Sequence, residues 1–217
     1  MKTDIEIIHG DSLQAMKAMA DNSFDWAIVD PPYGIAINSQ SQGKGGGVAK
    51  KIEYTKKDWD KAIPTGEYFR ELKRVSKNQI IWGWNYFVAH LNDCPSYIVW
   101  DKQNGETDFA DCESAWCSKQ GAARVFKWKW AGMLQQNMKD KEVRIHPTQK
   151  PVALYKWLLE KYTSEGDLIL DTHLGSGSIA IACHYMKRKF VGYEIDQEYY
   201  DNACKRFKEQ TQQIALW

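Results

Sequence analysis

Short apolar runs that end on a polar residue alternate in this chain with stretches of helical periodicity. That alternation restricts the fold more than any other feature. Leu168-Ile169-Leu170-Asp171 is one such run, and a glycine turn and a helix from Ser178 to about Met186 follow it. Comparable strands are predicted at 5–8, 26–29, 79–82, 96–100, 114–117, 125–128 and 190–193. Helices are predicted after Ser12, which is placed to cap the first of them, around 68–72, over 153–162 and over 197–210. Apolar runs of strand length separated by helices imply an α/β fold with a doubly wound sheet. A chain of 217 residues is most simply one domain, 1–217, with room for a substantial core.

Asp30-Pro31-Pro32-Tyr33 follows the apolar run Trp26-Ala27-Ile28-Val29 and places a carboxylate, two prolines and a phenol at a strand's carboxyl end. Ligands of open α/β sheets collect outside those ends. Proline has a fixed φ and no N–H, so the carbonyls of Asp30 and Pro31 are held in set directions. Carboxylate and carbonyl together suit a planar amino group, with Tyr33 stacked on the attached ring. This chemistry points to the exocyclic amine of a nucleobase.

The second half carries a different cradle. Asp171 is followed by Thr172-His173-Leu174 and then Gly175-Ser176-Gly177, where glycines admit close approach of a ligand and a helix N-terminus offers unpaired N–H groups. The run lacks the third glycine of a dinucleotide fingerprint. An acid at the strand tip suits an ammonium better than a pyrophosphate. Glu194 ends the next strand, where a carboxylate is placed to bind both hydroxyls of a ribose. An ammonium-binding acid coupled to a ribose-binding acid points to S-adenosylmethionine.

Composition narrows the rest. A net charge of +1 gives no global attraction to nucleic acid, so polyanion contact must come from local clusters. Ten Trp and eleven Tyr exceed what a core of this size requires, and surplus rings suit a protein that grips flat ligands. Five cysteines without CxxC spacing indicate neither a zinc site nor a disulfide framework, but reduced thiols of a cytoplasmic protein. No apolar run approaches membrane-spanning length, and no signal peptide is evident.

Taken in order, these motifs resemble the amino-group DNA methyltransferases of the β, or permuted, arrangement, in which the catalytic motif precedes the cofactor motif. Asp30–Tyr33 matches the family's D/N/S-P-P-Y/F/W. Asp171–Gly177 matches its D-P-F-x-G-S-G, with Thr172-His173 in place of Pro-Phe. His146-Pro147-Thr148-Gln149-Lys150-Pro151 matches H-x-T-x-K-P. The resemblance covers nearly the whole chain. It implies a Rossmann-like, mostly parallel seven-stranded sheet and a nucleoid-associated cytoplasmic protein of bacterial or phage type. Its cofactor would be S-adenosylmethionine and its substrate double-stranded DNA, with the target base flipped out of the duplex. It implies catalysis by Asp30, Pro31, Pro32 and Tyr33, with adenine favoured by the aspartate and N4-cytosine left open. Asp11 would lie near the cofactor adenine, a helix-capping Asp being its other reading, Lys150 near the methionine carboxylate, and His173 where the family's phenylalanine packs. Asp171, Gly175, Ser176, Gly177 and Glu194 would complete the cofactor site, and no metal is implied.

For DNA contact the expected regions are a basic loop within 36–64, carrying Lys44, Lys50, Lys51, Lys56 and Lys57, and a small recognition region over 101–145. Phe126-Lys127-Trp128-Lys129-Trp130 interleaves cations and rings, which suits nucleic-acid contact, although an alternating strand with one buried face explains it too. The tail 211–217 resembles a sliding-clamp peptide through Gln213, Leu216 and Trp217, and a homodimer would enlarge the footprint. Two rival readings are a nicotinamide-dependent oxidoreductase built on the Gly175 turn and a non-catalytic DNA- or clamp-binding module.

Overall fold

The computed structural model describes residues 4–35, 60–94, 96–105, 110–131 and 134–212. The lysines expected to form the basic loop and the clamp-like tail residues Gln213, Leu216 and Trp217 lie outside the described residues.

Among the described residues there are ten strands and five α-helices, and eight of the strands and all five helices follow the predicted alternation. The strands are β1 Ile5–His9, β2 Phe24–Val29, β3 Ser76–Trp82, β4 Ile98–Asp101, β5 Cys112–Cys117, β6 Arg124–Lys127, β7 Trp130–Ala131, β8 Leu134–Gln135, β9 Leu168–Asp171 and β10 Lys189–Glu194. The helices are α1 Ser12–Lys17, α2 Gly66–Val75, α3 Val152–Tyr162, α4 Ser178–Tyr185 and α5 Gln197–Gln212. Eight strands form one sheet in the order β1-β10-β9-β2-β3-β5-β4-β6, and β7 and β8 form a separate two-stranded ribbon. The sheet thus has one strand more than the resemblance implies. Each of the eight apolar runs predicted as strands enters it, including β6, which extends the far edge by pairing parallel to β4. β5 alone runs against the others, antiparallel to β3 and β4. Because β5 and β6 belong to the central sheet, the β7–β8 ribbon is the small substructure within 101–145.

Strand periodicity sorts the core into two layers. Trp26, Ile28, Ile80 and Trp82 face α3 and α4, where Leu154, Leu158, Ile179 and Cys183 close the first layer. Ala27, Val29 and Ile81 face the opposite way, against Met16, Phe69, Leu72 and Val75 of α1 and α2. The sequence Phe126–Trp130 follows the same logic. Phe126 stacks with Trp128 at 5.9 Å and packs against Trp157 of α3, while Trp130 is buried and donates its indole N–H to the Gln149 carbonyl at 3.0 Å. Its rings pack against the core, Phe126 and Trp128 partly buried and Trp130 buried.

The cap of α1 follows the capping reading of Asp11 and not the one given to Ser12. Asp11, not Ser12, holds the extended backbone at φ −77°, ψ 112°, and its carboxylate accepts from the N–H groups of Leu13 at 2.8 Å and Gln14 at 3.3 Å. Ser12 is already helical and buried.

The topology locates the site. β2 and β9 are parallel neighbours, with Trp26 opposite Ile169 and Ala27 opposite Leu170. From β2 the chain proceeds outward through α2 to β3, whereas from β9 it proceeds the other way through α4 to β10. The sheet therefore reverses its winding between these strands, which is where such sheets open a crevice. The tetrapeptide after β2 and the acid ending β9 emerge side by side on that edge.

Candidate active site

Asp30 leaves β2 at the crevice and is anchored at both carboxylate oxygens. Tyr33 donates its hydroxyl to Oδ1 at 2.6 Å, and the Lys150 ammonium bonds Oδ2. Burial pushes the Asp30 carboxyl up from the ordinary carboxylate range, and the adjacent ammonium opposes that push. Tyr33 is itself held from two directions. Its backbone N–H and that of Gly34 donate to Asp60 at 2.8 and 2.9 Å, so one buried carboxylate ties down the turn. The ring lies against Gly83, whose φ of +69° suits glycine. A methyl group added there would fall 2.1 Å from Cε1 of Tyr33. Tyr86 stacks on Tyr33 with ring centres 5.0 Å apart and planes 12° apart.

Lys150 is buried and bonds a second carboxylate, Glu113 of β5, at 2.9 Å, while Lys102 grips the other Glu113 oxygen at 2.5 Å. Burial would raise the Glu113 carboxyl, but the two ammonium groups outweigh it and bring it down to about 2. Burial likewise opposes charge on Lys150, yet Asp30 and Glu113 prevail and raise its pKa. The resemblance assigns Lys150 to a cofactor carboxylate; in the structure both of its ionic partners are protein carboxylates. Tyr155 of α3 sits in the field of Asp30, Asp171 and Glu113, and burial with those charges pushes its hydroxyl well above the ordinary range.

The adjoining cradle forms from β9 and the turn into α4. Asp171 is buried and accepts the His173 N–H at 3.1 Å. Burial is the main cause that pushes its carboxyl up to about 8; the charges of Asp30 and Glu194 add to the rise. A carboxylate so placed has a strong electrostatic demand for a cation. Gly175 and Gly177 adopt φ of +53° and +71°, which lets the chain turn tightly into α4. Glu194 spans the turn, accepting the Gly175 N–H at 2.8 Å and the Asp196 N–H at 2.9 Å. Each of its oxygens retains a lone pair for a further donor.

His173 bonds the Thr172 hydroxyl at 2.9 Å and meets the Tyr68 ring edge-on at 5.4 Å. Burial lowers its pKa to about 4, so it is a neutral ring at pH 7. Asp11 lies close enough for its charge to act on that imidazole. It joins the edge of the cradle while serving as the α1 cap.

The segment His146–Pro151 joins the two cradles. His146 packs over Gly175, 3.6 Å from where a Cβ would lie, and against Tyr199 at 4.3 Å. The Lys150 carbonyl accepts the Ser178 hydroxyl at 2.7 Å. Arg206 of α5 braces the turn beneath, donating to the Ser176 carbonyl at 2.8 Å and to Glu142 at 2.7 Å. Asp60, Tyr86, Glu113, Lys102, Glu142 and Arg206 were not singled out by the sequence. All are ordinary residue types that meet their partners only through the fold, as Asp60 meets Tyr33 across 27 positions.

Comparison with known proteins agrees with this geometry. The N6_N4_Mtase family model, DNA methylase, matches residues 95–205, just over half of the chain. The Type II methyltransferase M2.DpnII of Streptococcus pneumoniae is 24% identical over 252 residues, covering 97% of this chain and 92% of that protein. Among solved structures, the PvuII DNA methyltransferase (cytosine-N4-specific) superposes with a TM-score of 0.63 at 12% identity over 98% of this chain and 92% of that one. The complex of M1.HpyAVI with SAM gives a TM-score of 0.54 at 22% identity over 93% and 98%. The doubly wound sheet is therefore a shared architecture, and this chain belongs to the N6/N4 DNA methylase family.

Proposed function

We propose that the protein methylates the exocyclic amino group of adenine in DNA, using S-adenosylmethionine as the donor. The observation that carries this reading is the emergence of Asp30 and Asp171 from the adjacent parallel strands β2 and β9 at the point where the sheet reverses its winding.

The residues of the second cradle fit the donor. Asp171, a buried carboxylate whose pKa is raised to about 8, would hold the ammonium of its methionine portion. Glu194, fixed by two backbone amides, would take the ribose hydroxyls on its remaining lone pairs. Gly175, Ser176 and Gly177 would let the chain approach closely, and His173 and Asp11 would border the site. When bound, the donor supplies an electrophilic sulfonium methyl group.

At the first cradle, the adenine amine would donate to the Asp30 carboxylate and the Pro31 carbonyl. Both Asp30 oxygens already accept one bond and retain capacity for another. The amine lone pair is delocalised into the ring, and two acceptors favour the pyramidal nitrogen that can attack. Positioning of this kind supplies about 7–11 kcal/mol in well-oriented reactions. The target base would be rotated out of the duplex and stacked on Tyr33. Adenine is favoured by Asp30 as the first residue of the tetrapeptide.

The test is to incubate unmethylated genomic DNA with the protein and deuterated S-adenosylmethionine and then to analyse the nucleosides by mass spectrometry. Labelled N6-methyladenine is expected. Labelled N4-methylcytosine would reassign the base, and no labelled nucleoside would refute the transferase reading.

A further inference from the structure

We infer that Glu113 is a positioning residue for the proposed transfer, dividing the Lys150 ammonium with Asp30 so that the Asp30 carboxylate is oriented but keeps charge for the target amine. The inference rests on the role given to Asp30 above. Four alternating charges form one chain through the site. Lys102, just past β4, bonds Glu113 of β5 at 2.5 Å; Glu113 bonds Lys150 at 2.9 Å; Lys150 bonds Asp30 at the end of β2. The Lys150 side chain is 2% exposed, and its ammonium lies 5.3 Å from the Trp82 ring centre.

A single ammonium enclosed with a single carboxylate in such a place spends its charge on that partner, because water is not there to share it. A second carboxylate changes the balance. The ammonium has three donors, of which one goes to Asp30 and another to Glu113. Lys102 holds the outer oxygen of Glu113, so Glu113 cannot swing away to solvent without losing an ion pair. The arrangement aims the Asp30 carboxylate without neutralising it. Glu113 and Lys150 face Asp30 from β5 and from the 146–151 segment, Tyr68 from α2, Tyr155 from α3, Asp171 from β9 and Tyr33 from its own turn.

The test compares Glu113→Gln with the wild-type protein in turnover on DNA, in S-adenosylmethionine affinity by calorimetry, and in the pH profile of kcat. In the variant Lys150 keeps Asp30 as its carboxylate partner and meets only a neutral amide at position 113. Turnover is expected to fall about 10- to 100-fold with cofactor affinity unchanged. The acidic limb of the profile should move to lower pH, because the negative charge of Glu113 no longer opposes ionisation of Asp30. Glu113→Asp keeps the charge and should return the limb toward its wild-type position. If Glu113→Gln does not fold, Lys102→Met, altered at the outer end of the chain, carries the test, with turnover lowered and cofactor affinity kept. Wild-type turnover and an unmoved limb in Glu113→Gln would overturn the inference. So would parallel losses of turnover and cofactor affinity, which mark a merely structural residue. A wild-type protein that transfers no methyl group would instead refute the role of Asp30.

Discussion

Lys150 and Asp30 are 120 positions apart in the chain, yet the ammonium of one is bonded to the carboxylate of the other. The contact closes the gap between the tetrapeptide after β2 and the segment leading into α3. That segment in turn packs on the glycine turn through His146 and Ser178. The two cradles are consequently one site, and perturbing either has consequences that can be separated by measurement.

Asp171 gives a pH dependence of defined sign. Its carboxyl is raised to about 8 in the folded protein, chiefly by burial, against about 3.9 in an unfolded chain. The folded state binds that proton more tightly, so the stability it contributes is present below about pH 4 and is lost as pH rises through about 8. Thermal melts without cofactor should therefore show the wild type losing more stability than Asp171→Asn between about pH 5 and about pH 9. Equal losses in the two proteins would show that this carboxyl is not raised.

Asp60 should matter more to turnover than to cofactor binding. It accepts the backbone N–H groups of Tyr33 and Gly34, and Asp60→Ala leaves both without that acceptor. A cost of about 1–3 kcal/mol in stability is expected from chemical denaturation, together with a lower kcat and an unchanged cofactor affinity.

Gly83 is the position where the smallest addition should do the most damage. In Gly83→Ala the new methyl group meets the Tyr33 ring at 2.1 Å, on a backbone with φ of +69°. Overpacking and left-handed strain together should cost about 1–3 kcal/mol or more and displace Tyr33. Denaturant midpoint and methyl transfer should fall together.

Tyr86 covers a face of Tyr33 at 5.0 Å, and a flipped base stacking there would have to displace it. Such a ring pair contributes about 0.5–1.5 kcal/mol. Tyr86→Ala should accordingly lower KM for DNA severalfold with little change in kcat. A raised KM would show instead that Tyr86 helps to hold the base.

Much of this site was legible in the chain because its parts are local. Asp30–Tyr33 and Asp171–Gly177 each lie within one turn at the end of an apolar strand, and strand and turn are both properties of a short window. The eight sheet strands were legible for the same reason, with ends displaced by a residue or two except at β3. There Ser76, Lys77 and Asn78 join β3 ahead of its apolar run, because Ser76 and Asn78 pair with Phe24 and Trp26 of β2. What escaped was the partner of each charge. Glu113 sits in Cys112–Cys117 with nothing to distinguish it, and only the antiparallel run of β5 beside β3 and β4 brings it to Lys150 and Lys102. Asp60 falls in a stretch without periodicity and gains its role from a fold-back contact 27 residues away. The α1 cap shows a finer limit: Asp11 and Ser12 are both good caps, and the backbone angle at Asp11 decides between them.

The division of labour between the two carboxylates is open to one direct measurement: S-adenosylmethionine affinity and methyl transfer to DNA, determined together for Asp30→Ala and Asp171→Ala. This division predicts that Asp30→Ala binds the cofactor as the wild type does but loses transfer by about 100-fold or more. Asp171→Ala should bind the cofactor at least about tenfold more weakly, as expected when a buried charge partner is removed. Transfer at the wild-type rate by Asp30→Ala, or undiminished cofactor affinity in Asp171→Ala, would contradict it.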